Sequence, residues 1–182
     1  MKPVIDPFQH IPPFDAYDRL NVIVDTPKNS ANKYEFDEES GMFRLGGVIA
    51  LGHSFPFDFG FIPNTLGGDG DPLDVLILMD EPAFVGCLVK CRIIGGIKVQ
   101  QTEKTGETIR NDRFLAVAAK SLAFCDVNSI ADLNENFLEQ IEHFFISYNE
   151  VKGKIFDPVE RFDEEKARRL IGKSAAGRNG SK

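Results

Sequence analysis

Asp69-Gly70-Asp71-Pro72-Leu73-Asp74 leads without a break into Val75-Leu76-Ile77-Leu78-Met79. The second half is a β-type apolar run, and the first places three carboxylates within six residues. Gly67, Gly68 and Gly70 let the backbone turn sharply, and Pro72 fixes one torsion, so the acidic side chains are aimed toward one point. Ionised carboxylates about 5 Å apart, at an effective dielectric of about 20, repel by roughly 3 kcal/mol per pair. A fold tolerates that when a hard divalent cation sits among them, and Mg²⁺ is held by a few carboxylates together with water and substrate phosphates. The stretch therefore points to metal-assisted chemistry on a phosphate compound. The bland alternative is a polar turn between apolar runs. A calcium loop of the EF-hand kind fits poorly, because it needs glycine at the sixth position and polar ligands beyond it. Here the sixth residue is Asp74 and an apolar run follows.

Working outward, β-type runs separated by turn residues predict strands over 21–25, 33–37, 42–45, 75–79, 87–94, 97–101 and 113–118. Short strands with frequent Gly and Pro turns predict a small closed or partly open barrel. Ile130, Leu133, Phe137, Leu138, Ile141, Phe144, Phe145 and Tyr148 recur at spacings of three and four, the signature of one long helix. Ser129 with Asp132 three residues on is its expected N-cap. Tyr148 falls on the apolar stripe at the helix end, so its ring packs inward while its hydroxyl seeks a partner. A second helix is expected over about 163–171, capped by Asp163 and stopped by Gly172. Residues 1–18, with Pro3, Pro7, Pro12 and Pro13, read as an extended N-terminal arm. Residues 19–172 read as a single domain, and the small, polar residues 173–182 as an unstructured tail.

The chain has 182 residues, 42% of them apolar, and a net charge of −7. That charge argues against nucleic acid as a partner, and no apolar run approaches the length needed to span a membrane. The first residues lack the apolar core of a secretory signal. Cys87, Cys91 and Cys125 are odd in number and form no CxxC pair, which fits free thiols in a reducing cytoplasm. His10, His53 and His143 are scattered without ligand spacing, so a zinc site finds little support.

Taken together, these motifs resemble soluble family I inorganic pyrophosphatases. The resemblance rests on Asp69-Gly70-Asp71-Pro72-Leu73-Asp74-Val75, on Lys33-Tyr34-Glu35 followed by Glu39-Ser40-Gly41, on residues 55–63 (Phe-Pro-Phe-Asp-Phe-Gly-Phe-Ile-Pro), and on His143-Phe144-Phe145-Ile146-Ser147-Tyr148. It implies an α+β, mainly β fold: an OB-like barrel flanked by two main helices, assembled as a homo-oligomer. It implies Mg²⁺-dependent hydrolysis of pyrophosphate, with Mn²⁺ or Zn²⁺ as substitutes; the alternative is a weakly active or non-catalytic metal- or phosphate-binding protein on the same fold. By the same resemblance Asp69, Asp74 and Glu35 hold metal, with Asp74 able to bridge two ions. Asp71 is the general base for the attacking water, Lys33 neutralises phosphate oxygens and Tyr148 binds phosphate through its hydroxyl. Paired metals lower a water's pKa and clamp both ends of an in-line displacement, and phosphoryl transfer otherwise asks mainly for positioning and charge neutralisation.

Several positions depart from the family pattern. Asp25 stands where Glu is common, and Phe59 where Tyr is expected. An expected Arg falls on Gly47, with Arg44 three residues upstream. An acidic residue falls on or near Gln101, and the Lys after Tyr148 is Asn149. The later D-x-K becomes Asn111-Asp112-Arg113, which makes Asn111 a metal ligand and Arg113 a phosphate ligand, with Asp112 on the opposite face of the strand. Two carboxylates and two cations are thus lost, and the charge balance survives. Residues 101–112, with Glu103, Glu107 and Arg110, are either a solvated hairpin loop or a source of returned charge.

Overall fold

Val75, Leu76, Ile77 and Leu78 are all fully buried, so the apolar run after the acidic loop lies in the middle of a sheet covered on both faces. The computed structural model describes residue 8 and residues 10–180. Its strands are β1 (Leu20–Thr26), β2 (Asn32–Asp37), β3 (Met42–Val48), β4 (Asp58–Phe61), β5 (Asp74–Leu78), β6 (Leu88–Thr102), β7 (Thr108–Arg110), β8 (Arg113–Ala118) and β9 (Ile155–Asp163). Two helices, α1 (Glu135–Val151) and α2 (Glu164–Gly180), follow β8 and β9 respectively. Residues 1–7 and 9 of the expected N-terminal arm lie outside the described residues.

The strands run β1-β4-β5-β8-β6, and a pairing between β1 and β6 closes them into a ring. The ladders are antiparallel except for β5 with β8. This is the small barrel with two helices that the sequence predicts. One face of the ring packs Val22, Val75, Ile77 and Phe114 with Ala167 and Ile171 of α2. The other packs Leu76, Leu78, Leu115 and Val117 with Leu138, Ile141 and Phe145 of α1. β2 and β3 form a separate two-stranded sheet outside the ring.

The departures from the expected elements have local causes. The two strands expected over 87–94 and 97–101 are one strand, β6. Gly95 and Gly96 do not break it. A Cβ on Gly95 would lie 2.4 Å from the Phe162 carbonyl, and one on Gly96 2.5 Å from the Phe162 ring, so the pair lets β9 pack against β6. β4 escapes notice because Gly60 interrupts it, and there a Cβ would meet the Ile23 carbonyl at 2.1 Å. β9 escapes notice because it carries Pro158 at a register shift and alternates with charges. Ser129 does form a capping box with Asp132, but over a separate 3₁₀ turn, Ile130–Asp132. The long helix begins later, with Asn134 as N-cap. Asp163 caps α2 through the Lys166 amide, at 2.8 Å. The helix then passes through Gly172, and through residues read as tail, to Gly180.

Candidate active site

The acidic loop between β4 and β5 owes its shape to glycine. Gly70 has φ +91°, a conformation open to glycine at little cost. The Gly67 amide donates to the Asp71 carbonyl at 2.6 Å, and a Cβ on Gly67 would lie 2.9 Å from Asp69 Oδ1. The tightened loop brings the Asp71 amide to Asp69 Oδ1 at 3.1 Å. Burial pushes the Asp69 carboxyl above its ordinary range, and repulsion from Asp74 and Asp71 adds to the shift. Asp71 is raised for the same reason, first by burial and then by Asp74 and Glu35, while Lys33 and Lys154 pull the other way. These couplings place Glu35 and two lysines around the loop.

Asp74 is the first residue of β5, and the parallel register sets it opposite Arg113 of β8. Arg113 Nη1 reaches Asp74 Oδ2 at 2.6 Å. It also donates to the Asn111 carbonyl at 3.1 Å, the Asp112 carbonyl at 3.2 Å and the Asn111 side-chain oxygen. The guanidinium lies 5.4 Å from the Phe145 ring centroid and 5.6 Å from that of Phe156, and its Nε is buried without a partner. Asp112 does not join this group. It accepts from the Val99 amide at 3.2 Å and holds Arg110 through both oxygens. Behind the loop a cavity of about 170 Å³ opens between Gly67, Asp69, Arg110, Asn111 and Leu170 of α2.

Lys33 and Glu35 arrive on the β2–β3 hairpin. Lys33 Nζ bonds Asp25 Oδ1 at 2.9 Å and sits 4.7 Å from the Phe59 ring centroid. Burial pushes Asp25 up to about 6 against the pull of Lys33. Gly47 pairs with Lys33, and Arg44 pairs with Glu35, Nη2 to Oε2 3.7 Å. The Glu35 side chain lies over Gly46, at the register shift of the hairpin, where a Cβ would come 2.4 Å from Glu35 Cδ.

The end of α1 supplies Tyr148, whose ring packs on Phe55 and Phe144 at 5.6 and 6.0 Å between centroids. Burial pushes its hydroxyl up to about 12, and Arg113, Asp74, Asp25 and Glu35 all act on it. Asn149 is buried and donates to the Phe145 carbonyl at 2.8 Å, turned into the core. Two lysines just beyond it went unnoticed in the sequence. Lys152 donates to the Tyr148 hydroxyl, and Lys154 bonds Glu103 at 2.7 Å. Glu103 also accepts from Gln101 Nε2 at 2.6 Å, so the 101–112 segment brings a carboxylate to the rim where Gln101 lacks one. The only signal for these lysines was their place at the C-terminal end of a helix, which basic residues favour anyway.

Asp69, Asp71, Asp74, Glu35, Lys33, Arg113 and Tyr148 thus lie within electrostatic reach of one another, and Asn111 joins them through Arg113. Among the described residues no three His, Cys, Asp or Glu side chains close into a cage. The donors are hard oxygens whose mutual repulsion shows in the raised Asp69 and Asp71. Mg²⁺ does not need an all-protein cage, since it keeps water and takes substrate phosphates alongside a carboxylate or two. The donor set fits that ion.

The inorganic pyrophosphatase family model matches residues 22–178. The chain is 40% identical over 136 residues to an inorganic pyrophosphatase of a Synechocystis species, covering 75% of this chain and 78% of that one. It is 36% identical over 152 residues to one from Halalkalibacterium halodurans, covering 84% and 90%. The crystal structure of inorganic pyrophosphatase from Thermus thermophilus superposes with a TM-score of 0.85 at 29% identity, covering 94% of this chain and 98% of that one.

Proposed function

This chain belongs to the inorganic pyrophosphatase family, and from that premise we propose that it hydrolyses inorganic pyrophosphate to two phosphates with Mg²⁺. The observation that carries the proposal is the electrostatic coupling of Asp69, Asp71 and Asp74 with Lys33, Arg113 and Tyr148. Asp69, Asp74, Glu35 and the Asn111 side-chain oxygen would hold Mg²⁺. The bound ion neutralises phosphate charge and lowers the pKa of the attacking water. Asp71 takes the proton from that water, and its upward shift from burial brings its basicity closer to neutral pH. Arg113 offers a planar fork to phosphate oxygens, and its unpartnered Nε supports that role. Tyr148, whose hydroxyl burial pushes up to about 12, is protonated at neutral pH and donates a hydrogen bond to phosphate.

Self-association belongs to the same proposal, and the exposed apolar side chains Met42, Leu45, Val48 and Leu51 support it as surface available for burial. A cytoplasmic setting is supported by Cys87, Cys91 and Cys125, all free thiols. No helix among the described residues is long and apolar enough to cross a membrane. The test is phosphate release from pyrophosphate with Mg²⁺, with Mn²⁺ or Zn²⁺ in its place, and with a chelator. Release that depends on the metal is expected. No release above background with any of the three ions would leave a metal- or phosphate-binding protein on this fold.

A further inference from the structure

Residue 149 lies on the buried stripe of α1 with Leu138, Ile141 and Phe145, and Asn149 ends there on the Phe145 carbonyl. Tyr148 lies on the neighbouring stripe, and the residue four further on is Lys152, the C-cap of the helix. Side chains four apart meet on a helix surface. The Lys152 ammonium accordingly donates to the Tyr148 oxygen and lies 4.1 Å from the ring centroid. With that lone pair engaged by the ammonium, the phenolic hydrogen is left to donate to another acceptor. Burial depresses the Lys152 ammonium, and the cations Lys33, Lys154 and Arg113 press on it further, opposed by Glu35. Lys33, Arg113 and Lys154 each hold a carboxylate, Asp25, Asp74 and Glu103 respectively, whereas among the described residues no carboxylate pairs with Lys152.

We propose that Lys152 is a phosphate-binding residue of this site, its ammonium and the Tyr148 hydroxyl together taking one terminal phosphate of a phosphoanhydride. This rests on the reading of the site as a pyrophosphate site, and it supplies the cation that Asn149 does not. The group on which Lys152 acts is the substrate's terminal oxygens, and no bond is made to it.

The test uses K152M, which keeps the stem against Tyr148 and removes the charge, and K152R, which restores it. K152Q replaces K152M if thermal melting shows the Met variant to be unfolded. Calorimetry with imidodiphosphate, a pyrophosphate analogue, is run with Mg²⁺ beside steady-state kinetics on pyrophosphate. K152M is expected to bind the analogue about 10-fold to 100-fold more weakly, the range of one charge-assisted contact. KM should rise by a similar factor with kcat less affected, Mg²⁺ binding without analogue should not weaken, and K152R should recover to within a few fold. Unchanged analogue affinity in K152M overturns the proposal, as does a K152R as weak as K152M, which would mark a packing role. The two readings fail separately. A wild type that binds the analogue through Lys152 yet releases no phosphate refutes the proposed reaction alone. A wild type that turns over while K152M matches it refutes Lys152 alone, and one that neither binds nor turns over refutes both.

Discussion

Arg113→Met should change metal and substrate affinity in opposite directions. Arg113 Nη1 is 2.6 Å from Asp74 Oδ2, so the guanidinium engages a carboxylate oxygen that Mg²⁺ is proposed to take. Once the ion binds Asp74, a single positive charge remains about 5 Å from a dication. The repulsion is about 1.7 kcal/mol even at the dielectric of water and several times that in a drier site. Asp74 keeps a quarter of its side-chain surface exposed, so the true value lies between those limits. Removing the charge should then tighten Mg²⁺ binding by about 10-fold or more. Met keeps an unbranched apolar stem between Phe145 and Phe156 and avoids a cavity. The same change removes the planar fork, so KM for pyrophosphate should rise by about 10-fold to 100-fold. Mg²⁺ titration by calorimetry without substrate, beside steady-state kinetics, reads both quantities. Breaking a buried ion pair from one side also costs stability, typically about 3–5 kcal/mol. Added Mg²⁺ should restore more melting temperature to R113M than to the wild type. Weaker Mg²⁺ binding in R113M would refute the reasoning, because Arg113 would then be organising the metal site rather than competing for it.

Other substitutions separate the remaining roles. Asp71→Asn should lower kcat by about 10² to 10⁴-fold with Mg²⁺ binding kept, whereas Asp74→Asn should weaken both in the same titration. Asn111→Asp should tighten Mg²⁺ binding, because it adds a carboxylate beside Asp74 and draws Arg113 away from it. Asp112→Ala should cost stability by stranding the Val99 amide and Arg110, with KM little changed; a collapse of activity in folded D112A would reverse the assignment of faces at 111–113. Asp25 gives a pH effect. Its folded pKa of about 6 lies above the ordinary 3.8, so its contribution to stability is present at low pH and is lost as pH rises from about 4 to 6. The denaturant midpoint of Asp25→Asn in chelator should therefore gain on the wild type across that window and hold its gain above it.

The parts of the fold legible in the sequence were those specified by neighbours along the chain. The wholly apolar 75–79 run, the three-and-four spacing from Phe137 to Tyr148 and the Asp163 cap are local patterns, and each produced its element. Ser129 is a cap, but of the 3₁₀ turn before the helix, because Asn134 offers a second cap and the long helix starts from it. Closure of the ring by β1 on β6 joins residues far apart, and β9 was hidden by Pro158, so neither carries a local signal. At the site, the alternation expected over 111–113 sets Asp112 apart from Asn111 and Arg113; only Arg113 lies in β8, and Asp112 is set apart by its bonds to the Val99 amide and Arg110. The lysines at 152 and 154 carry no signal of their own in the sequence, because a basic residue at a helix end has an ordinary explanation.

The β2–β3 hairpin has a consequence for how the site fails. Lys33 and Glu35 ride on a sheet that shares no ladder with the ring carrying Asp74 and Arg113. The hairpin is tied to β1 by the Lys33–Asp25 pair and by the Tyr34 amide on Thr26 Oγ1, at 3.4 Å. Such a tether loosens at a lower free energy than a closed barrel. The molecule is a rigid acidic anvil with a lighter, hinged jaw. Warmed below its melting point, it would lose its grip on phosphate reversibly while the barrel stayed whole, and amide exchange would register the jaw opening well before the anvil gave way.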